Sequence, residues 1–189
     1  MRIFVAGASG VIGIRLVPLL IRAGHAVAGM TRSDAKGNVL RSLGATPVVC
    51  DVYDRARLVE AMSMFRPELV IDELTDLDDD AKKIDAAANA RIRTEGTRNV
   101  LEAADGVRVV TQSVAWPLKG EGGRAVETHE SLVLDTGGVV IRYGQLYGPG
   151  TYHEHDVPKP PRIHIDEAAR RTLEALDAKP GTVLTLVEG

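Results

Sequence analysis

The sequence predicts a doubly wound α/β fold, in which helices cover both faces of a parallel sheet. Three observations support this prediction. Short apolar runs rich in β-branched residues alternate with helix-like segments along the chain. The first apolar run, 3–6, enters a turn with glycines at positions 7, 10 and 13. A helical pattern of apolar residues follows that turn at once, as at the start of a βαβ unit.

The three glycines of this turn have distinct expected roles. Gly7 allows a sharp turn out of the strand, Gly10 lets a pyrophosphate approach the backbone, and Gly13 lets the helix pack close to the sheet. The phosphates would lie against the unpaired amides of the helix N-terminus, where the dipole favours negative charge. We therefore predict a dinucleotide-binding Rossmann unit; a tight turn without a ligand is the alternative. The predicted cofactor-binding residues of the turn are Gly7, Ser9, Gly10, Val11, Ile12 and Gly13.

The remaining elements follow from the alternation of apolar runs with helix start and stop signals. Ser33 and Asp54 are expected to cap the second and third helices, and Gly44 and Pro67 to end them. We expect the sheet order 3-2-1-4-5-6 with one extra strand. The predicted strands are 3–6, 25–30, 46–50, 68–72, 107–111, 139–141 and 183–187, the helices after the first are 33–43, 54–65, 80–104 and 166–176, and the least regular parts are 116–128 and 144–161.

The composition is that of one soluble globular domain, with 189 residues of which 44% are hydrophobic and 26% charged. Residues 1–142 are expected to form a cofactor-binding core and 143–189 an abbreviated C-terminal part. A net charge of −3 argues against a nucleic-acid partner. Because Cys50 is the only cysteine, no internal disulfide or cysteine metal site can form, and no metal site is predicted. No signal peptide or bilayer-spanning apolar stretch is found, so we expect a cytoplasmic protein without membrane contact.

The end of the second strand indicates which dinucleotide binds. An acidic residue there would accept hydrogen bonds from the adenosine 2′-hydroxyl and indicate NAD. The chain instead has Arg32, with Lys36 one helical turn later, and arginine can hold a 2′-phosphate by charge-assisted hydrogen bonds. Such bonds contribute about 1.5–3 kcal/mol, roughly a 10- to 150-fold preference. We therefore expect NADP as the cofactor, with NAD as the alternative that the nearby Asp34 keeps open.

Six segments, in order along the chain, resemble those of a known enzyme family. They are Gly-Ala-Ser-Gly-Val-Ile-Gly at 7–13, Cys-Asp-Val at 50–52, Glu-Gly-Thr-Arg-Asn-Val-Leu-Glu-Ala-Ala at 95–104, Thr-Gln-Ser-Val-Ala-Trp at 111–116, Arg-Tyr-Gly-Gln-Leu-Tyr-Gly-Pro-Gly at 142–150 and Ile-His-Ile-Asp-Glu-Ala-Ala at 163–169. They resemble the extended and atypical short-chain dehydrogenase/reductases, the NAD-dependent epimerase/dehydratase family. The resemblance implies that Asp51 and Val52 are cofactor-binding residues, with Asp51 contacting the adenine amine, and that Ser113 is the catalytic Ser/Thr.

The chain departs from this family in its catalytic half. The family transfers protons with a Tyr-x-x-x-Lys pair on the fifth helix, and no such pair occurs in this sequence. At the place of that helix we expect only a short crossover within 127–135, and we interpret His129 as a surface residue rather than a proton shuttle. Tyr143 and Tyr147 are interpreted as packing residues that line the cofactor pocket. The family's substrate-binding subdomain is reduced here to 151–161.

Two functions therefore stay open. The first is an NAD(P)-dependent epimerase- or reductase-type enzyme for a small carbonyl, hydroxyl or sugar-nucleotide substrate. In that case Ser113 would polarise the substrate oxygen, and water or another side chain would supply the proton. The second is a non-catalytic module that senses NADP or binds a partner protein. Because the family pairs its fourth and fifth helices across a dimer interface and the fifth is expected to be short here, we predict a monomer or a weak homodimer.

Overall fold

Seven parallel strands form the central sheet in the part of the chain that the computed structural model describes, residues 1–76 and 85–188. In chain order the strands are β1 (Arg2–Ala6), β2 (Ala26–Thr31), β3 (Thr46–Val49), β4 (Leu69–Asp72), β5 (Val109–Val114), β6 (Val139–Tyr143), β7 (Gln145–Tyr147), β8 (Arg162–His164) and β9 (Val183–Leu186). The sheet has the order β3-β2-β1-β4-β5-β6-β9, while β7 and β8 pair separately. The predicted order with one extra strand is confirmed.

Helices cover both faces of this sheet. In chain order they are α1 (Gly13–Arg22), α2 (Asp34–Ser42), α3 (Arg55–Phe65), α4 (Ala86–Arg91), α5 (Thr97–Ala104), α6 (Gly120–Asp135) and α7 (Ile165–Thr172). One apolar core joins α1 and α7 to the first face through residues such as Leu16 and Ala168. A second core joins α3 and α6 to the other face through residues such as Leu58 and Val133. The predicted doubly wound fold is therefore confirmed.

Two predicted helix caps are present. The Ser33 hydroxyl accepts a hydrogen bond from the Lys36 amide at the start of α2. The Asp54 carboxylate accepts one from the Arg57 amide at the start of α3. Each cap satisfies an amide that has no partner within its own helix, which is why short polar side chains mark these positions in the sequence.

The long helix predicted at 80–104 is interrupted within the described residues. α4 ends at Arg91, a π-helical turn spans Ile92–Gly96, and α5 begins at Thr97. Residues 80–84 of the prediction lie outside the described residues. Such π turns occur frequently at functional sites. In this protein the turn carries Arg93, whose side chain is buried.

α6 corrects two expectations. Its sixteen residues form a continuous helix where the sequence predicts irregular structure at 116–128 and only a short crossover after it. The glycines that suggest a loop instead allow close packing, since a Cβ at Gly123 would lie 2.5 Å from the carbonyl oxygen of Leu118. β7 likewise lies inside 144–161, for which little regular structure is predicted. Because the fifth helix is not shortened, the reason for expecting weak dimerisation is wrong, and the oligomeric state stays a prediction.

Candidate active site

The glycine turn lies at the carboxyl end of β1, in the middle of the sheet. Gly7 has a φ of +78°, and a Cβ there would lie 2.8 Å from the Glu73 carbonyl group. A Cβ at Gly13 would lie 2.4 Å from the Gly7 oxygen, so both positions require glycine. Gly10 differs from them, because its added Cβ would meet only the Gly7 oxygen, at 3.2 Å. The outer side of Gly10 is therefore open to a ligand.

The other predicted residues of the turn have unlike environments. Ser9 donates its hydroxyl proton to Thr31 Oγ1 at 2.9 Å, which holds the turn against β2. Val11 is exposed, whereas Ile12 packs into the core. No side chain caps α1, in contrast to α2 and α3. The start of α1 therefore presents backbone rather than side-chain groups, as a phosphate cradle requires.

Arg32 and Asp51 lie beyond the ends of β2 and β3, at the same edge of the sheet as the glycine turn. The Arg32 side chain is 64% exposed and is 3.7 Å from the Asp76 carboxylate. Asp51 accepts a hydrogen bond from the Tyr53 amide at 2.9 Å, and Val52 is buried beside it. An open glycine, an uncapped helix start and an exposed guanidinium fit a dinucleotide with its adenosine over β2 and β3.

Ser113, at the end of β5, belongs to a polar cluster with Glu130 and Arg142, which we name the Ser113 cluster. Ser113 and Glu130 are buried, whereas the Arg142 side chain is 43% exposed. The Ser113 hydroxyl donates to Glu130 Oε1 at 2.6 Å. Arg142 binds the same carboxylate twice, Nε to Oε1 at 2.9 Å and Nη2 to Oε2 at 2.6 Å. Burial raises the pKa of Glu130, but the hydrogen bonds from Arg142 and Ser113 outweigh burial and hold that pKa below its ordinary value. Glu130 is therefore an ionised group that can only accept hydrogen bonds.

A cavity of about 270 Å³ opens beside the Ser113 cluster. Glu130 and Arg142 line it together with residues 114–118 that follow β5. Val126 and Glu127 of α6 complete the lining on the helix side. The cavity and the glycine turn both lie at the carboxyl edge of the sheet, where ligands of open α/β folds bind.

His129 is buried, so its interpretation as a surface residue is wrong. Its Nδ1 lies 2.7 Å from the Thr97 hydroxyl, and its Nε2 lies 2.8 Å from the Gln112 carbonyl and 3.0 Å from the Thr111 hydroxyl. Burial and, to a smaller extent, the charge of Arg93 lower the pKa of His129 to about 4. A neutral imidazole with both nitrogens engaged joins α6 to β5 and α5. It thereby holds the neighbouring Glu130 in place.

Asp72, the last residue of β4, and Arg93, in the π-helical turn, are a second set of buried ionisable side chains near the carboxyl edge of the sheet. Burial raises the pKa of Asp72 to about 6, although the Leu74 amide and the charge of Arg93 oppose the rise. Arg93 is only 4% exposed, and its Nε and Nη1 have no hydrogen-bond partner in the part of the chain that the structure describes. Burial lowers the pKa of Arg93, while the charges of Asp72 and Glu130 raise it.

On the opposite face of the sheet, Glu73 lies among polar groups from β6 and α7. Tyr143 donates its hydroxyl proton to Glu73 Oε1 at 3.0 Å and lies 2.6 Å from the Thr172 hydroxyl. Glu73 Oε2 has no partner among residues 1–76 and 85–188. Burial raises the pKa of Glu73 to about 8, with the Tyr143 hydrogen bond opposing and the charge of Asp72 adding to the rise. Glu73 is therefore mostly protonated at neutral pH.

Residues 3–132 match the sequence model of the NAD dependent epimerase/dehydratase family. A 3-diazoavenalumate denitrifying reductase from Streptomyces is 33% identical over an alignment that covers 95% of this chain and 73% of that protein. This chain belongs to the NAD-dependent epimerase/dehydratase family. A shorter similarity, 37% over 32% of this chain and 18% of the relative, is to a decarboxylating sterol-4-alpha-carboxylate 3-dehydrogenase from Dictyostelium discoideum.

Solved structures of epimerase/dehydratase proteins have the same fold. UDP-glucose 4-epimerase from Thermus thermophilus, in complex with NAD, superposes with a TM-score of 0.81 at 18% identity, and the match covers 100% of this chain and 78% of the epimerase. A putative NAD-dependent epimerase/dehydratase from Bacillus halodurans has the same TM-score and identity, and the match covers 100% of this chain and 94% of that protein.

The sequence did not lead us to Glu130 and Arg142 as partners of Ser113, the residue at the position of the family's catalytic Ser/Thr. A signal for Glu130 was present, since Val126, Glu130 and Val133 recur at spacings of four and three residues. This spacing puts a carboxylate on the apolar face of a helix, where it is buried. Arg142 has no comparable signal, because its contact with Glu130 depends on how α6 crosses β6.

Two expected absences can be stated for the described residues only. Among residues 1–76 and 85–188, no three His, Cys, Asp or Glu side chains lie together in a group that could hold a metal ion. The helices in this part of the chain are all too short or too polar to cross a membrane. Cellular location, metal content and partners stay predictions.

Proposed function

We propose that this protein is an NAD(P)-dependent oxidoreductase that interconverts a hydroxyl and a carbonyl group on a small substrate bound beside Ser113. The Ser113 cluster carries the proposal, because it places an ionised carboxylate at a cavity on the same edge of the sheet as the dinucleotide cradle, with the buried Ser113 hydroxyl hydrogen-bonded to that carboxylate. The family and its oxidoreductase relative support a redox reaction and give no support to a non-catalytic module.

The dinucleotide, when bound, supplies or accepts the hydride. Gly7, Gly10 and Gly13 would take its pyrophosphate, and Asp51 its adenine. We propose NADP as the preferred form, because the exposed Arg32 guanidinium lies where the adenosine ribose binds. The Asp76 carboxylate is 3.7 Å away, and this exposed ion pair is weak enough for a 2′-phosphate to replace it.

The direction of the Ser113 hydrogen bond determines whether Ser113 donates to the substrate or accepts from it. Because ionised Glu130 can only accept, Ser113 directs its proton to Glu130, and its oxygen lone pairs are left for a substrate hydroxyl that reaches past the cavity lining to this buried side chain. A substrate hydroxyl would therefore donate to Ser113. As the alcohol is oxidised, its proton passes to Ser113 Oγ while Ser113 transfers its own proton to Glu130. In reduction the same protons move back to the carbonyl oxygen.

Arg142 acts on this reaction through Glu130. Its two hydrogen bonds fix the carboxylate plane and favour the ionised form, so Arg142 is a positioning residue. Glu130 is thus the group that exchanges the substrate proton through Ser113, a role for which the sequence indicates only water or an unidentified side chain. The structure supports this assignment by the 2.6 Å contact between Ser113 Oγ and Glu130 Oε1.

The test compares Glu130→Gln and Ser113→Ala with wild type. NADP⁺ reduction would be followed across a panel of small alcohols, with UDP-glucose as the sugar-nucleotide substrate. General acid–base catalysis contributes about 10²- to 10⁴-fold, so both variants should lose at least about 100-fold in kcat without weaker NADP⁺ binding. Glu121→Gln, an exposed glutamate of the same helix, should behave as wild type. Wild-type kcat in Glu130→Gln would refute the proposed proton path.

The cofactor preference has a separate test. Arg32→Ala should weaken NADPH binding by roughly 10- to 150-fold and leave NADH binding unchanged, because only NADPH carries the 2′-phosphate. Binding would be measured by NADPH and NADH fluorescence, with the exposed Arg22→Ala at the end of α1 as the matched control. Equal affinity of wild type for both nucleotides would contradict the preference for NADP.

A further inference from the structure

We infer that the substrate carries a carboxylate, which binds the free edge of the Arg142 guanidinium in the cavity between α6 and the segment that follows β5. This inference rests on the proposed function, because it names the substrate class of the same site. Three observations support it: the unused donors of Arg142, the way Glu130 holds the guanidinium, and the charges that line the cavity.

Arg142 has donors that no protein group uses. A guanidinium carries five N–H groups in one plane. Glu130 accepts hydrogen bonds from two of them, Nε–H at 2.9 Å and one N–H of Nη2 at 2.6 Å. Arg142 makes no other hydrogen bond in the part of the chain that the structure describes, and its Nη1 is not one of the buried unpartnered atoms. The side chain is 43% exposed and lines the cavity, so a ligand can reach these donors.

The free edge has the shape that carboxylate recognition requires. Nη1 and Nη2 lie side by side at the end of the guanidinium, and each directs one N–H outwards in the same direction. A carboxylate accepts both in a bidentate pair, which is stronger and more directional than its contact with a lysine ammonium. Because Glu130 bonds to the other edge, formed by Nε and Nη2, a second carboxylate can bind without displacing it.

Glu130 holds the guanidinium in place before a ligand binds. Its buried carboxylate accepts two hydrogen bonds from Arg142 and one from Ser113. Arg142 therefore loses less conformational freedom on binding a ligand than a mobile arginine would. Since Arg142 Nε and the Ser113 hydroxyl bond to the same oxygen, Glu130 Oε1, the guanidinium also lies within a small molecule's length of the proposed proton acceptor.

The charges of the lining favour a carboxylate over a phosphate group. Arg142 is the only cation that lines the cavity within the described residues, and Glu127 and Glu130 line it as well. Glu130 is paired with Arg142, and Glu127 is exposed, so water and salt screen its charge. One negative charge in direct contact with Arg142 outweighs this screened repulsion. A phosphate, with about 1.5 to 2 negative charges, would meet more repulsion and find no second cation.

The substrate class that meets these conditions is a small hydroxycarboxylic acid, or the oxo acid formed by its oxidation. Its carboxylate would bind Arg142, and its hydroxyl group would extend towards Ser113. On oxidation the carbon-bound hydrogen leaves as hydride to NADP⁺ and the hydroxyl proton passes to Ser113, as in the proposed function. At about 270 Å³ the cavity lies just below the usual range for ligand pockets, about 300–1,000 Å³, which suits a short acid.

The role of the carboxylate can be tested on wild type alone. Trp116 lines the cavity and is the only tryptophan of the chain, so its fluorescence would be recorded at saturating NADP⁺ as 3-hydroxybutyrate or 3-hydroxybutyramide is added. The acid should bind at least about tenfold more tightly than the amide, because only the acid forms charge-assisted hydrogen bonds on both sides of the contact. Equal binding of acid and amide, no saturable binding of the acid, or tighter binding of glycerol 3-phosphate than of the acid would overturn the inference.

A matched pair of variants locates the carboxylate. Arg142→Lys keeps a positive charge beside Glu130 but has no planar second edge, so it should bind the acid at least about tenfold more weakly and the amide as wild type does. Arg124→Lys makes the same change at an exposed position of α6 outside the cavity lining and should bind the acid as wild type does. Wild-type affinity of Arg142→Lys for the acid would overturn the inference, and if this variant does not fold, the comparison of acid with amide decides.

The outcomes also separate this inference from the proposed function. Saturable binding of the acid in preference to the amide, without any reduction of NADP⁺, would refute the redox function and leave the carboxylate site supported. Reduction of NADP⁺ by the amide or by uncharged alcohols with a KM as low as that for the acid would support the redox function and refute the carboxylate site.

Discussion

Replacing Glu73 by Gln should remove a pH dependence of folding stability. Burial raises the pKa of Glu73 from 4.5 to about 8. Between these values the folded protein keeps a proton that the unfolded chain releases, so this contribution to stability is full at low pH and is lost as pH rises through 8. One unit of pKa corresponds to about 1.4 kcal/mol, so the loss between about pH 6.5 and 8.5 amounts to about 2 kcal/mol.

The assay is urea unfolding across this pH range for wild type and Glu73→Gln. The amide keeps the shape of the side chain and an oxygen for the Tyr143 hydroxyl, but it does not titrate. Stability of wild type relative to the variant should therefore fall by about 2 kcal/mol as pH rises. Glu60→Gln, at an exposed position of α3, should follow wild type. A difference between wild type and Glu73→Gln that stays constant within about 0.5 kcal/mol would refute the reasoning.

Two further substitutions test the packing of the site by the same unfolding measurement. Gly13→Ala should cost about 1–3 kcal/mol or more, because its Cβ would lie 2.4 Å from a backbone oxygen, whereas Gly122→Ala meets nothing within 4 Å and should not destabilise. His129→Leu should cost about 2–4 kcal/mol at pH 7, because it removes the imidazole that hydrogen-bonds the buried Thr97 and Thr111 hydroxyls. Burial lowers the pKa of His129 from 6.5 to about 4, so between these pH values the unfolded wild type takes up a proton that the folded protein does not. The free energy of unfolding of wild type therefore falls as the pH falls, whereas the variant has no such group. The stability difference between wild type and the variant should be about 2 kcal/mol smaller at about pH 5 than at pH 7. A stability difference between wild type and His129→Leu that does not change with pH would contradict the burial of a neutral imidazole.

The fold could be predicted because its signals are local. The turn from β1 into α1 is encoded by glycines three residues apart, and the caps Ser33 and Asp54 each precede their helix directly. The strand order then follows from the alternation of strands and helices and from right-handed connections. The structure confirms the expected need for glycine at two of these positions, since Gly7 and Gly13 have no room for a side chain.

The candidate active site could be predicted only in part, because its partners are distant in sequence. Ser113 is placed by its strand, but Glu130 is seventeen residues away and Arg142 twelve residues beyond that. The glycine-rich start of α6 hides the helix that would have shown Glu130 and His129 on a buried face. Burial of a polar side chain depends on which groups meet it after folding, and a single sequence does not report this.

Calorimetric titration of NADP⁺ and NAD⁺ into wild type and Gly10→Ala tests the central claim most directly. The added Cβ meets only the Gly7 oxygen, at 3.2 Å, so the variant should fold with a small local adjustment while the backbone approach of the pyrophosphate is blocked. We expect wild type to bind the dinucleotide and Gly10→Ala to bind it at least about tenfold more weakly at similar thermal stability, with Gly122→Ala as control. Failure of wild type to bind either nucleotide, or equal binding by Gly10→Ala, would contradict it.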